Sequence, residues 1–438
     1  MNIKSFKIEG LFNQFDHCIE FKNNITIIIG KNGVGKTSCL ELLYSLFNGD
    51  FAKLCGIPYK KIIVKFDSEN KEEWEVIPQS NSVKISTNKK DDDPLLINID
   101  KLKEIINNIG NRYKFTGLNG FFDRATDSFV SFEQLPDIIK NRIPLSIPMW
   151  YSKKVQENNV KIIQAQRLIN YPYISDNRDF IYVDRYGDRV NARPPQNNAL
   201  KNAENLSKQI KDIISKASDI ATNLDKTFPN RLLTGMFKDN NTENVKELKN
   251  RLNKLKYKRN ELSSVGLIGT EKEMSTPQTL DIDKYAINTL NLYIQDSMKK
   301  LEPYEDILKK LQKLTEIINK RFLYKKIIID KDRGYRFIND QKDEIPIEKL
   351  SSGEQNELVM FYNLLFECNE NSLILIDEPE ISLHIEWLNN LLQDLIDISN
   401  LSGLSMMIAT HSPDFIGEYW NLTTELQYFQ YRQSKIRE

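Results

Sequence analysis

The feature that most constrains this fold is a glycine-rich loop at residues 30–37, which reads Gly-Lys-Asn-Gly-Val-Gly-Lys-Thr. It follows an apolar, strand-like run at residues 25–29 and precedes a segment with an apolar helical face, which is the context of a phosphate-binding P-loop. In such a loop the glycines let successive N–H groups face the phosphates, the lysine neutralises the β and γ phosphates, and the threonine hydroxyl ligates Mg²⁺. A fortuitous glycine-rich turn is the alternative. The P-loop interpretation predicts ATP and Mg²⁺ as cofactors, with nucleotide contacts from Gly30, Asn32, Gly33, Gly35, Lys36, Thr37 and Ser38.

Two carboxylates follow an apolar run near the other end of the chain. Asp377 and Glu378 come directly after residues 373–376, and ligands of open α/β sheets bind at the tips of such strands. We expect Asp377 to hold Mg²⁺ together with Thr37, and Glu378 to activate the attacking water as general base. An acidic surface pair after a core strand is the alternative, but the P-loop in the same chain favours the catalytic interpretation.

The order of strand-like and helix-like segments predicts an α/β fold interrupted by a helical insertion. Residues 1–190 contain the P-loop and several alternating strands, residues 191–324 place apolar side chains at helical spacing, and residues 325–438 return to apolar strand-like runs. The insertion reads as a compact helical arm, or short coiled coil, with a hairpin near residues 266–278. Amphipathic helices packed on the domain are an equally good interpretation.

A third motif makes a resemblance specific. Residues 350–355, Leu-Ser-Ser-Gly-Glu-Gln, resemble the signature motif of ABC-type ATPases in the form used by SMC, RecF and related heads. The resemblance implies an ABC-type P-loop ATPase head with a mixed sheet and a β-subdomain. It also implies that Ser351, Gly353 and Gln355 contact the nucleotide of another protomer, so that the chain forms a head-to-tail dimer or a higher even oligomer.

Three further segments match the same family. Residues 380–384 resemble the D-loop at the dimer seam, and residues 410–413 resemble the switch-histidine loop, which would place His411 at the γ-phosphate as a catalytic residue. A plain capped turn is the alternative for residues 410–413. By resemblance to the Q-loop, Gln166 is preferred as a further Mg²⁺ ligand. His17 stands in a strand-like context and is interpreted as structural.

The forms of residues 350–355 and 377–384 also resemble the OLD-like and RecF-like ATPases of bacterial phage-defence systems. This implies an ATP hydrolase that serves as sensor and regulatory scaffold for a separate effector nuclease of the Toprim or HNH type. The 27 residues after His411 are too few for a Toprim domain, so we expect no nuclease domain in this chain. One alternative is an ATP-gated DNA clamp in repair or recombination. The ATPase subunit of a membrane transporter ranks last, because the insertion is longer than the short helical subdomain of that class.

Charge and composition restrict the partners. Lys plus Arg and Asp plus Glu each number 61, so the formal net charge of zero gives no global attraction to nucleic acid or an anionic membrane. The helical residues 246–259 carry seven basic side chains that would suit DNA or an acidic partner, and a solvated face is the alternative. The four cysteines follow no metal or disulfide spacing, and no run of about twenty apolar residues is present. We therefore expect a cytoplasmic protein without a membrane partner.

Overall fold

The computed structural model describes residues 3–22, 24–67, 71–80, 82–98, 100, 147–163, 196–235, 245–269, 284–381 and 385–426, with short strands at 113–115, 121–123, 128–130, 169–170, 181–183 and 189–191. The chain divides into two compact units: unit 1 comprises Met1–Gln196 and Glu367–Glu438, and unit 2 comprises Asn197–Phe366.

The strands are β1 (Ile3–Leu11), β2 (Phe15–Glu20), β3 (Ile25–Ile29), β4 (Lys61–Phe66), β5 (Glu73–Gln79), β6 (Ser82–Thr87), β7 (Leu95–Asn98), β8 (Tyr113–Phe115), β9 (Phe121–Asp123), β10 (Ser128–Val130), β11 (Val160–Ile163), β12 (Ile169–Asn170), β13 (Ile181–Val183), β14 (Arg189–Asn191), β15 (Gln196–Asn197), β16 (Lys325–Asp330), β17 (Gly334–Asn339), β18 (Glu344–Ile345), β19 (Leu373–Asp377), β20 (Ser405–Thr410) and β21 (Thr423–Glu425). The α-helices are α1 (Lys36–Asn48), α2 (Phe51–Gly56), α3 (Met149–Glu157), α4 (Asn198–Gly235), α5 (Val245–Ser264), α6 (Lys284–Leu301), α7 (Glu305–Arg321), α8 (Ser352–Tyr362), α9 (Ile385–Ser402) and α10 (Pro413–Ile416).

A five-stranded parallel sheet forms the centre of unit 1, in the order β11-β19-β20-β3-β21. Its inner strands are buried on both faces, and all six residues of β20 are buried, which explains why they read as continuous apolar runs. Helix α1 packs against β11, β19 and β20. Because the strands are parallel, β3, β19 and β20 end at the same edge of the sheet.

A six-stranded antiparallel sheet, β2-β1-β4-β5-β6-β7, also belongs to unit 1, as do the short pairings β8-β9-β10 and β13-β14. Its strands alternate buried and exposed residues, as expected of a sheet with one face on the core. Side chains of this sheet and of α1 belong to one hydrophobic cluster, within which Trp74 stacks on Phe47 and Tyr151.

Unit 2 contains the helices of the insertion and the antiparallel sheet β16-β17-β18. Helix α4 has 38 residues and continues through Pro229, although proline cannot donate a backbone hydrogen bond within a helix. Helix α6 was not singled out in the sequence, and most of the region assigned to a hairpin lies outside the described residues. Helices α4 and α7 pack on β17 and β16, and α8 packs on α4. Compact unit 2 ends at Phe366, and the domain borders after residues 190 and 324 remain predictions from the sequence.

The predicted class is confirmed in its broad form. The chain is an α/β protein with a P-loop sheet, an antiparallel β-subdomain and a helical insertion.

Candidate functional site

The glycine-rich loop lies at the edge of the parallel sheet, between β3 and α1. Gly33 and Gly35 have φ angles of +84° and +94°, a region that residues with a Cβ rarely adopt. A Cβ on Gly35 would also lie 2.5 Å from Cδ2 of Leu11. The loop conformation thus depends on glycine at position 35 for two separate reasons. The curled backbone leads into the N-terminus of α1, and helix N-termini are suited to bind anions.

The Lys36 side chain folds back over this loop. Its Nζ donates hydrogen bonds to the carbonyl oxygens of Gly30, at 2.8 Å, and Lys31, at 3.3 Å. The residue is buried, so its ammonium group is fixed in place by the loop that it would serve.

Thr37 and Asp377 are 340 positions apart in the sequence and meet at the sheet edge. The Thr37 hydroxyl lies 3.1 Å from Oδ1 and 3.0 Å from Oδ2 of Asp377. Burial raises the pKa of Asp377, and the neighbouring carboxylates of Glu378, Glu41 and Glu380 add to the rise, while the Thr37 hydrogen bond opposes it. A divalent cation would relieve this repulsion. Adjacent ligands of an octahedral Mg²⁺ lie about 2.9 Å apart, given metal–oxygen distances of about 2.0–2.1 Å, so the two oxygens fit such an ion.

Glu378 occupies a strained backbone position at the end of β19. Its φ is +43°, and its conformation is held because its N–H donates to the Ala409 carbonyl at 2.9 Å and its carbonyl accepts from Ile381 N–H at 3.1 Å. The side chain is partly exposed, with Oε1 3.4 Å from Nδ1 of His411. Strain of this kind in an acidic residue is typical of a functional site.

Glu380 connects the acidic strand end with the histidine loop. Its Oε1 accepts hydrogen bonds from the Thr410 hydroxyl, at 2.5 Å, and from the His411 backbone N–H, at 3.2 Å. The same oxygen lies 3.5 Å from Nδ1 of His411, and the carboxylate is buried. The sequence assigned Glu380 only to a segment resembling a dimer-seam loop, whereas its side chain contacts the interior of unit 1. The sequence signal for this role was a further carboxylate, Glu380, three residues after Asp377.

A cleft of about 420 Å³ runs beside the glycine-rich loop and His411. Its lining combines loop residues with the histidine loop and an exposed tryptophan: Ile29, Gly30, Lys31, Asn32, His411, Pro413, Ile416, Trp420 and Glu425. Of the predicted nucleotide residues of the loop, Gly30 and Asn32 therefore line one cavity together with His411.

The signature segment lies in unit 2, at the N-terminus of α8. Ser351 is the N-cap: its hydroxyl accepts from the Glu354 N–H at 3.2 Å, and the Glu354 carboxylate accepts from the Ser351 N–H at 2.7 Å. Both oxygens of Glu354 lie 2.7 Å from Nζ of Lys325. This capping box fixes the end of the helix and leaves Ser351 exposed.

Gln355 points into unit 2. Its Nε2 donates to the carbonyl oxygens of Leu350, at 2.8 Å, and Glu348, at 3.3 Å, and its Oε1 accepts from Asn197 at 2.8 Å. These bonds occupy both ends of its buried amide and hold the signature loop against the start of α4. Contacts of Ser351, Gly353 and Gln355 with a nucleotide remain predictions.

Two predicted residues fall outside the part of the chain that the structure describes. They are Gln166, the preferred Q-loop ligand, and His384, in the segment resembling the D-loop. Their roles remain predictions from the resemblance.

His17 is placed at the glycine-rich loop, which the sequence did not suggest. Its Nε2 lies 2.8 Å from the carbonyl oxygen of Val34, and its ring is buried and stacked on Phe15. The chain has only three histidines. The occurrence of one of them, His17, in an alternating strand was the only sequence signal for this contact.

The basic segment forms helix α5 with one polar face. The side chains that face solvent along it include Lys246, Lys249, Asn250, Asn253, Lys254, Tyr257 and Asn260. Lys258 instead pairs with Glu305.

Two further kinds of site are absent from the described ranges. None of the helices there has the length and apolar composition needed to cross a membrane. No group of three or more histidine, cysteine or acidic side chains in these ranges forms a metal site by itself. A Mg²⁺ ion held by Thr37 and Asp377 would therefore need oxygens from a nucleotide or water, which is the usual manner of Mg²⁺ binding at phosphates.

Comparison with known proteins places the chain in a broad class. A family model described as AAA ATPase domain matches residues 1–416. The SMC head domain from Thermotoga maritima is similar at 11% identity and a TM-score of 0.36, over 95% of this chain and 91% of that one. The Smc head domain with an extended coiled coil bound to the C-terminal domain of ScpA, from Pyrococcus furiosus, is similar at 13% identity and a TM-score of 0.37, over 98% and 94%. None of the curated proteins matches.

Proposed function

The chain belongs to the AAA ATPase domain family, and we propose that it binds ATP with Mg²⁺ at the edge of its parallel sheet and hydrolyses it there. The observation that carries the proposal is the meeting of three strand ends. The P-loop follows β3, Asp377 and Glu378 end β19, and Thr410 and His411 end β20. Hydrogen bonds connect these segments directly. Thr37 bonds to Asp377, which lies 340 positions later in the sequence, and Glu380 accepts from His411, which lies 31 positions later.

The P-loop would bind the phosphates through its N–H groups, and Lys36 would neutralise them. Thr37 and Asp377 would hold Mg²⁺, which supplies charge neutralisation at the phosphate oxygens. Lys36 already lies over the loop carbonyls, so it needs only to exchange these acceptors for phosphate oxygens.

Glu378 would orient and deprotonate the attacking water. His411, 3.4 Å from its carboxylate, would contact the γ-phosphate. Glu380 contacts neither water nor phosphate in this scheme. It accepts the Thr410 and His411 donors and so keeps the histidine loop next to Glu378.

We further propose that Ser351 completes the site of a second protomer, head to tail. Because the Ser351 oxygen accepts the Glu354 N–H, its own proton remains available to donate to a phosphate oxygen. The exposed start of α8 adds the partial positive charge of a helix N-terminus. The same arrangement in both chains would generate two sites about one two-fold axis.

ATP hydrolysis by three proteins tests the enzymatic part of the proposal. Lys36→Ala should lose ATP binding and activity together, because its charge is removed from the phosphates. Glu378→Gln should keep ATP binding and lose turnover, because only the base is removed. Equal hydrolysis by both variants and the wild type would place the reaction elsewhere.

For the biological role, we propose a regulatory ATPase whose ATP-bound form holds a separate effector nuclease of the Toprim or HNH type, in phage defence. The support is the resemblance of the signature and acidic motifs to such systems. The Glu378→Gln chain, purified with ATP and Mg²⁺ from cells that express the neighbouring genes, should retain one of their products. Recovery without any of them would refute this role. A cytoplasmic location likewise remains a prediction.

A DNA clamp is the second candidate, and the exposed face of α5 favours it. Lysine and asparagine side chains there surround the exposed Tyr257, and such side chains can contact phosphates and stack on bases. Changing Lys249 and Lys254 to Glu should abolish salt-sensitive DNA binding, whereas Lys258→Gln, at a lysine paired with Glu305, should change it little. Absence of binding by the wild type at low salt would exclude this function.

A further inference from the structure

A side chain of β2 forms a hydrogen bond with the backbone of the P-loop. His17 reaches the Val34 carbonyl with Nε2 at 2.8 Å, from a position 17 residues earlier in the chain. The ring is 3% exposed and stacks on Phe15, with centroids 5.8 Å apart and 14° between the ring planes. Leu11, on the neighbouring strand β1, packs against Gly35. The same hairpin therefore contacts two consecutive P-loop residues.

The chemistry of this contact fixes the state of the ring. A carbonyl oxygen can only accept, so Nε2 must carry the proton and donate it. Burial lowers the pKa of His17, against smaller opposing effects of Val34 and Asp16, so the ring is neutral at pH 7. Nδ1 is then an unprotonated acceptor, and among the described residues it has no hydrogen-bond partner.

The bond also determines where the next N–H group points. The carbonyl of Val34 and the N–H of Gly35 belong to the same peptide plane, and the two point in opposite directions because the peptide is trans. With its carbonyl held by the buried ring of His17, this plane must turn the Gly35 N–H away from β2. Gly35, with φ at +94° and no Cβ, would otherwise allow the plane to flip easily.

We propose that His17 is a positioning residue for nucleotide binding, which keeps the Gly35 N–H turned toward the phosphates by holding the Val34 carbonyl. The proposal rests on the proposed ATP site. It adds a buried residue from outside the P-loop motif to the determinants of phosphate affinity. It also predicts that nucleotide affinity depends on the N–H donor at Nε2 and not on the stacking of the ring.

Three variants separate the donor from the ring. His17→Phe keeps the stacking surface and removes the donor. His17→Gln places an amide donor near the position of Nε2, and His17→Asn offers the same amide one bond shorter, as the matched control. The measurement is the Kd for ADP with Mg²⁺ by calorimetry, with unfolding in urea followed by tryptophan fluorescence for each protein.

His17→Phe and His17→Asn should bind ADP about 10-fold more weakly or worse, because a buried carbonyl loses its partner and the peptide plane is free. His17→Gln should stay within about 3-fold of the wild type, since its donor reaches the same carbonyl. Equal Kd values for the wild type and the three variants would overturn the proposal. It would also be overturned if His17→Gln lost as much ADP affinity as His17→Asn while both variants unfolded in urea like the wild type. If the Phe variant does not fold, the Gln and Asn pair decides the question. A folded wild type that binds no ADP would instead refute the ATP site itself.

Discussion

Replacing Gly35 by alanine should damage unit 1 more than the same change at Gly33. Both glycines lie in the P-loop with positive φ, +94° and +84°. Alanine in the left-handed region costs about 1–2 kcal/mol. At Gly33 nothing lies within 4 Å of the added Cβ, whereas at Gly35 the Cβ would lie 2.5 Å from Cδ2 of Leu11.

The second cost at Gly35 follows from the position of Leu11. This side chain is fully buried in the core cluster of unit 1, so it cannot swing into solvent, and overpacking of this kind costs about 1–3 kcal/mol. We therefore expect Gly35→Ala to lower the free energy of unfolding by about 2–5 kcal/mol and Gly33→Ala by about 1–2 kcal/mol.

Tryptophan fluorescence during urea unfolding can measure this difference. The four tryptophans, Trp74, Trp150, Trp387 and Trp420, all lie in unit 1, so the signal reports the unit in which both glycines lie. Equal losses at the two positions, or a Gly35→Ala chain as stable as the wild type, would refute the steric reasoning.

Two other changes test the supporting contacts. Arg321 and Glu357 form a buried ion pair in unit 2. Arg321→Met should lower the free energy of unfolding by about 3–5 kcal/mol, because it leaves the Glu357 charge buried and unpaired. Adding Glu357→Leu should recover much of that loss, as measured by circular dichroism during urea unfolding. No recovery in the double variant would argue against an uncompensated buried charge. Glu380→Ala should reduce kcat about 10-fold or more with ATP affinity little changed, because the Thr410 hydroxyl and the His411 N–H lose their acceptor. Glu380→Gln keeps an oxygen acceptor, so its kcat should remain close to that of the wild type in steady-state assays. An equal loss in both variants would contradict the positioning role.

The parts of this structure that the sequence predicted are those that depend on local pattern. The runs at residues 25–29, 373–376 and 405–409 are largely apolar because their strands are buried in a parallel sheet. Parallel strands then bring their ends to one edge, so the contact between Thr37 and Asp377 follows from the order of the motifs.

The contacts of His17 and Glu380 could not be predicted in this way, because no motif marks their partners. His17 sits in an alternating strand and reads as a core residue, and only the pairing of β1 with β2 brings it to Val34. Glu380 reads as part of an exposed loop, yet its carboxylate accepts the hydroxyl of Thr410. Helix α4 passes Pro229 because tertiary packing of a long helix can outweigh one lost hydrogen bond.

Mixing two inactive chains tests the proposed composite ATP site most directly. Lys36→Ala disables the P-loop, and Ser351→Asp retains a good N-cap while its carboxylate repels a phosphate. A head-to-tail dimer of one chain of each kind has one site with both defects and one site with none. An equal mixture should therefore recover about a quarter of wild-type ATP hydrolysis, given random pairing about a two-fold axis, although each chain alone is inactive. A mixture as inactive as its components would contradict a site shared between two protomers.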